Sequence, residues 1–399
     1  MTDQNDNKKQ SLATRLSHIG RPGSKTHGFV NGPLQRGSTV LYANMAERRA
    51  FMAKRFDQAL TYGLQGSETH HALEDAVAAV EGGTRCQIVS SGLAAVVVAL
   101  LAYLSAGDHV LLPDSAYGPA RTFINGIGKR LGISASYYQP DMAPDALAAL
   151  FTDRTRVLYL ESPGSHTFEM QDVPALAALA QAQGAAVLMD NTWGFGHFDP
   201  FAHGVDVSIQ ALTKYAVGHS DVLLGGIITA DDGHWHKVRD AALVLGQYAS
   251  PDDCWLTLRG LRTLLVRQAR QMQSALDVAR WFAGRAEVAQ VLYPALPGAP
   301  GHEIWARDFT GAASLFGVVF APAVTVEQTH ALVDALTLFG IGASWGGFES
   351  LALPTTGLII RSAAGSPDFG GAMVRFHIGL EDPADLIADL AKGFASWLC

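Results

Sequence analysis

From about residue 67 the chain alternates short apolar runs with longer amphipathic stretches. The apolar runs are Cys86-Gln87-Ile88-Val89, His109-Val110-Leu111-Leu112, Val157-Leu158-Tyr159-Leu160, Ala185 to Asp190, Ser208 to Lys214, and Gly226-Ile227-Ile228-Thr229. Each is a handful of residues long and reads as a buried strand. Between them, His70 to Glu81, Gly92 to Ala102 and Val173 to Gln183 carry helical periodicity. Gly82-Gly83 stops the first helix, and Pro113-Asp114 closes the second strand. Strands alternating with helices predict a mostly parallel sheet flanked by helices. After about residue 259 the texture changes. Leu261 to Phe282 is periodic over a length that could bridge two domains. Ala313 to Phe320 and Met373 to Ile378 read as strands, and Val326 to Phe339 and Pro383 to Trp397 as helices. This pattern predicts a smaller α+β domain. Residues 1–64 show little periodicity, and Arg21-Pro22-Gly23-Ser24 fits neither a helix nor a central strand. They predict an extended arm, disordered over the polar Met1 to Gln10.

A chain of 399 residues exceeds one simple core. The predicted division is an arm over 1–64, a main domain over 65–258 and a C-terminal domain over 259–399. Hydrophobic residues make up 48% and charged residues 17%, which predicts a chain that buries surface between subunits as well as within them. A net charge of −8 argues against a nucleic-acid partner. No run approaches the roughly 18 apolar residues of a membrane span, and the N-terminus lacks the apolar core of a secretory signal. Cys86, Cys254 and Cys399 are few and widely spaced, which fits a reduced, cytoplasmic protein without disulfides. His70-His71 and His234-Trp235-His236 lack further ligands at useful spacing, so no metal site is expected. The chain has neither a GxxxxGK[ST] loop nor a GxGxxG turn after a strand, which disfavours ATP and dinucleotides.

Two residues change the picture. Asp190 and Lys214 each close an apolar run, and parallel sheets gather strand ends at the edge where ligands bind. An acid and an amine so placed are what pyridoxal phosphate (PLP) needs: the lysine joins its aldehyde and the acid pairs with its ring nitrogen. Ser90-Ser91-Gly92-Leu93 lies between a strand and a helix, where free backbone N–H groups suit a phosphate and Ser91 suits an N-cap. Tyr117, in Ser115-Ala116-Tyr117-Gly118, follows another strand at the same edge, where its ring could lie on a flat heterocycle or serve in packing.

As a set, Asp190-Asn191-Thr192-Trp193, Thr213-Lys214-Tyr215, Gly218-His219-Ser220-Asp221, Tyr62-Gly63-Leu64, Glu81-Gly82-Gly83 and Ser90-Ser91-Gly92 resemble the PLP-dependent enzymes of cysteine and methionine metabolism, of fold type I. The resemblance covers about residues 40 to 397 and implies seven strands in the main sheet. Glu161-Ser162-Pro163-Gly164-Ser165 and Ser344-Trp345-Gly346-Gly347-Phe348-Glu349-Ser350-Leu351 resemble the cystathionine β-lyases of that family more than its γ-acting members; Arg375 to Glu381 completes the pattern. The resemblance implies cleavage of L-cystathionine to homocysteine, pyruvate and ammonia, in methionine biosynthesis. It implies that Lys214 binds PLP covalently, Asp190 pairs with the pyridine nitrogen and Tyr117 stacks on the ring. Gly92, Leu93 and Thr213 would hold the phosphate, with Tyr62 reaching in from a neighbouring subunit. Arg375 would anchor the substrate α-carboxylate, with Ser344 and Trp345 lining that pocket. A homo-oligomer follows, expected as a tetramer built from two dimers with shared active sites. The chain departs from the family at Leu64, where many relatives carry an arginine, at Ala211, where several have serine, and at Leu243, near where some β-lyases place a tyrosine. Desulfhydrases, γ-lyases and γ-synthases of the same family are the neighbouring alternatives, and a non-catalytic PLP-fold binding protein is the more distant one.

Overall fold

The computed structural model describes residues 10–21 and 29–395. Its larger sheet has seven strands: β1 (Arg85–Val89), β2 (His109–Pro113), β3 (Ser134–Tyr138), β4 (Thr155–Glu161), β5 (Ala186–Asp190), β6 (Val207–Gln210) and β7 (Gly225–Thr229). Their spatial order is β1-β7-β6-β5-β4-β2-β3, and β7 alone runs against its neighbours. All five residues of β2 and of β7 are buried, as expected for strands covered by helices on both faces.

The helices begin and end where their caps fall. Ser91 accepts the N–H of Ala94 at the start of the helix Gly92–Leu101. Gly82 adopts a left-handed φ of +80° and closes the helix Glu68–Glu81. The expected strand through Lys214 ends earlier, at Gln210. Residues 211–217 instead form turns, in which the Lys214 N–H donates to Ala211 O and the Val217 N–H to Leu212 O. Leu212, Tyr215, Ala216 and Val217 are buried there, so the apolar run continues past the strand. Strand β3 was not evident in the sequence because it lies at the sheet edge, half-exposed and rich in serine and tyrosine.

The second sheet comprises β8 (Val288–Leu292), β9 (Leu315–Phe320), β10 (Gly340–Ile341), β11 (Leu351–Pro354) and β12 (Met373–His377), in the order β10-β11-β12-β9-β8. The helices Leu264–Ala283 and Pro383–Ala395 pack together beside it. Phe282, from the first of these helices, lies 4.8 Å from Phe376 of β12, ring centre to ring centre. The periodicity expected from Val326 to Phe339 ends at Ala335. The N-terminal segment holds two short helices, Leu12–His18 and Met45–Ala53, capped by the side chains of Ser11 and Asn44. The expected disorder of Met1 to Gln10 falls, but for Gln10, outside the described residues, as do Pro22-Gly23-Ser24 and the C-terminal Trp397 and Cys399.

Polar contacts tie the second sheet to the first. The Trp193 indole N–H donates to Leu315 O at 3.0 Å, and the Ser314 N–H donates to the Tyr215 hydroxyl at 2.7 Å. Gln271 donates to Gly347 O at 2.8 Å. The first two bonds hold the start of β9 against the segments that follow β5 and β6, and the third ties the loop after β10 to the helix Leu264–Ala283.

Candidate active site

Where the strands of the larger sheet end, a cavity of about 400 Å³ opens between the two sheets. Gly92, Tyr117, Asp190, Thr213, Lys214 and Arg375 all line it, as do Leu93 and Trp345. Residues far apart in the chain thus meet because strand ends and the connections after them share one edge. Tyr62 and Leu243 are not among the lining residues. Tyr62 is half-exposed and bridges to Thr39. Ser344 does not line the wall, but its hydroxyl accepts from Lys214 Nζ at 3.0 Å.

Lys214 Nζ also stands 5.4 Å from the centre of the Trp345 ring. Burial and the nearby Arg375 charge bring its ammonium pKa down to about 8, against the opposing pull of Asp190. Gly346, with a φ of +83°, lets the next loop press on the Lys214–Tyr215 backbone, where a Cβ would come within 2.8 Å of Tyr215 N.

Asp190 Oδ1 accepts the Thr192 hydroxyl at 2.6 Å and the Thr192 N–H at 3.0 Å. Burial pushes its pKa up; the two Thr192 bonds and the Lys214 charge oppose this. Thr192 Oγ1 in turn accepts the Ala211 N–H at 3.0 Å, so one side chain joins the end of β5 to the turn that carries Lys214. At the cavity's other wall, the start of the helix Gly92–Leu101 lies against that turn. A Cβ at Gly92 would sit 2.6 Å from Ala211 Cβ, so glycine is required there. The Thr213 hydroxyl is bonded to the backbone of Leu224.

Arg375 is buried, and its Nη2 donates to Ala343 O at 2.9 Å and to Ser344 O at 3.4 Å. Burial lowers its pKa to about 10, so it stays a cation at neutral pH. No carboxylate faces it in the ion pairs of the described residues, which leaves its charge free for an anion brought from outside.

Two site residues were not singled out by the sequence pattern. Thr192 was legible only as part of an Asp-x-Thr turn, in which the acid accepts from the residue two positions on. Glu161, at the end of β4, is in register with Asp190 and lines the same cavity. Its carboxylate accepts the Tyr117 N–H at 2.7 Å and so fixes the start of the helix Gly118–Phe123. Burial, then the Asp190 charge, pushes its pKa well up, so Asp190 is the carboxylate of this pair that keeps its charge more readily.

Behind the site, Glu81 accepts from Asn191 Nδ2 at 3.1 Å and from the Ser208 hydroxyl at 2.5 Å, bracing β5 and β6. Burial, opposed by these bonds, raises its pKa from 4.5 to about 7. The folded chain therefore binds more protons than the unfolded one between these values. Glu81's contribution to stability is full below about pH 4.5 and is lost as the pH rises through about 7. The loss amounts to about 3 kcal/mol. Denaturant unfolding from pH 5 to 8 is expected to show this decline in the parent chain and a flatter profile in Glu81→Gln. Parallel profiles would place the proton elsewhere.

The profile of the family described as Cys/Met metabolism PLP-dependent enzyme matches residues 13–395. A putative cystathionine beta-lyase of Rhizobium johnstonii is 47% identical over 389 residues, covering 96% of both chains. The cystathionine beta-lyase of Escherichia coli is 41% identical over 392 residues, covering 97% of this chain and 98% of its own. Among solved structures, metB from Corynebacterium glutamicum superposes with a TM-score of 0.89 at 30% identity, covering 98% of this chain and 100% of its own.

Proposed function

The chain belongs to the Cys/Met metabolism PLP-dependent enzymes, and from that premise we propose that it is a carbon–sulfur β-lyase converting L-cystathionine to homocysteine, pyruvate and ammonia. Near-full-length similarity to two cystathionine beta-lyases supports the choice within the family. One observation carries the chemistry: a lysine amine, a carboxylate and a guanidinium without an ion-pair partner among the described residues line a single cavity.

The cavity's residues fit PLP. Asp190 is a desolvated carboxylate with no ion-pair partner among the described residues, suited to a ring nitrogen that carries a proton. The helix start at Gly92 and Leu93 opens into the cavity, where its free N–H groups and the Thr213 hydroxyl would hold a phosphate. Tyr117, half-exposed at the wall, would lie against the ring. Bound PLP supplies an aldehyde for the Lys214 amine and a ring that takes up the electron pair left by a departing Cα proton.

The remaining work falls to this chain's own side chains. Arg375 holds the substrate carboxylate with parallel N–H donors and so fixes which Cα bond faces the ring. Lys214 Nζ, its pKa lowered by burial to about 8, takes the Cα proton. The sulfur leaves Cβ as a thiol and needs a proton. Lys214 Nζ can return one. The Tyr117 phenol can supply one too, because burial, Asp190 and Glu161 raise its pKa and keep it protonated. Water then completes the release of pyruvate and ammonia.

Incubation with L-cystathionine, L-cystine and L-homocystine side by side tests the reading. Pyruvate is the expected product from L-cystathionine and L-cystine, with no 2-oxo acid from L-homocystine, whose sulfur sits on Cγ. 2-Oxobutyrate would mark γ-elimination, and a new thioether would mark synthesis. A second expectation concerns loading. Only the neutral amine attacks an aldehyde, so the rate of PLP uptake by the cofactor-free chain should rise with pH around a midpoint near 8, not near the ordinary lysine value of 10.5. A stopped-flow absorbance series measures it, and a midpoint above 10 would contradict the site's desolvation.

Assembly follows the same reading. Tyr62 would serve the cavity of a second copy, reaching in to its phosphate. The exposed Leu41, Leu93, Leu223 and Val244 supply apolar surface for such a contact. A tetramer of two dimers, in the cytoplasm, is the assembly proposed. No helix among the described residues is long and apolar enough to cross a membrane.

A further inference from the structure

One polar side chain of the cavity wall has no part in the chemistry above. His166 lines the cavity in the loop after β4. Its backbone lies in the left-handed region, at a φ of +63°, as does that of Phe168, at +54°. Residues other than glycine and asparagine seldom adopt this conformation, and it persists where the surroundings impose it. Here they do. The Ser165 N–H donates to Ser115 O at 2.8 Å, the Phe168 N–H to Gly164 O at 3.0 Å, and the Gly164 N–H to Glu169 O at 2.9 Å. On β9, Gly317 leaves room for the loop, since a Cβ there would approach His166 O and the Phe168 ring at 3.3 Å.

The ring so placed is short of partners. His166 Nδ1 is buried with no hydrogen bond among the described residues. Burial, then the positive charge of Arg375, lowers the imidazole pKa to about 4, so the ring is uncharged at neutral pH and keeps one N–H to donate. His166 and Arg375 line the same cavity, into which the substrate carboxylate would be drawn.

We propose that His166 is a substrate-binding residue, donating a hydrogen bond to the α-carboxylate that Arg375 grips. The proposal rests on Arg375 being the carboxylate anchor, and it adds a second donor to that anchor. It predicts selectivity for the carboxylate itself, which a purely structural histidine would not confer.

Two ligands without a leaving group on Cβ separate the cases: L-alanine, which has the carboxylate, and L-alaninamide, which lacks it. Calorimetric titration of the PLP-loaded chain with each is compared for the parent, His166→Gly and His166→Asn. Glycine relieves the left-handed backbone while removing the ring, and asparagine tolerates that backbone and keeps a donor. Affinity of His166→Gly for L-alanine should fall by about tenfold, with that for L-alaninamide held within about twofold. His166→Asn should recover much of the loss. Equal weakening toward both ligands, or no weakening, would overturn the proposal. A parent chain that binds the amide as tightly as the acid would overturn the Arg375 assignment, and this inference with it.

Discussion

Replacing Lys214 by alanine is expected to lower the rate of pyruvate release by on the order of 10³-fold or more, because proton transfer by one positioned group is worth about 10²- to 10⁴-fold and this amine serves two transfers. The substitution is mild for the fold. Lys214 is only partly buried, its one side-chain hydrogen bond among the described residues is to Ser344 at 3.0 Å, and the turn around it is held by backbone bonds and the close approach of Gly346. The variant should therefore keep its circular dichroism spectrum while losing the yellow absorbance of covalently held PLP. Steady-state assay of pyruvate beside the two spectra checks both halves. Normal pyruvate release from this variant would remove Lys214 from the mechanism.

Arg375→Leu should have the second largest effect. The guanidinium is buried on β12, donates to the backbone carbonyls of Ala343 and Ser344, and faces no carboxylate in the ion pairs of the described residues. Without it, a substrate carboxylate would enter a desolvated site unpaired. Losing one partner of such a pair costs about 2–5 kcal/mol. That is a drop of roughly 30- to 5,000-fold in kcat/KM for L-cystathionine. Arg375→Lys should recover part of it, since a point charge remains but the two parallel donors do not. The contrast to look for is in the substrate: an analogue with the α-carboxylate amidated should respond little to the same substitution. If acid and amide lost equally, Arg375 would be a structural residue and not an anchor.

Much of this arrangement was legible before any coordinate. Buried parallel strands announce themselves as uninterrupted apolar runs, and β2, β4 and β5 each fall within a residue or two of the expected spans. Asp190 stood out because a charge at the end of such a run needs a reason. What was hidden depended on position in the sheet or on the third dimension. Strand β3, at the edge, and β8, half-exposed, lack the apolar run. The helix Pro251–Leu261 carried its start signal in Ser250-Pro251-Asp252, but a change of texture near residue 259 obscured it. Lys214 was placed on a strand because burial continues through Leu212 and Tyr215, although hydrogen-bonded pairing stops at Gln210. Glu161 and Thr192 gained their roles from register and from a cross-connection, and neither is a property of local sequence. The meeting of Arg375 with Lys214 needed the second sheet to fold over the first; only resemblance pointed to it in advance.

The central claim is that the amine of Lys214 holds PLP at the rim of the larger sheet. Borohydride reduction of the yellow protein, followed by proteolysis and mass mapping, tests it most directly. The account predicts one pyridoxyl-phosphate adduct, on the peptide carrying Thr213-Lys214-Tyr215, and none on Lys54, Lys129, Lys237 or Lys392. An adduct on another lysine, or a peptide from this turn left unmodified, would contradict it.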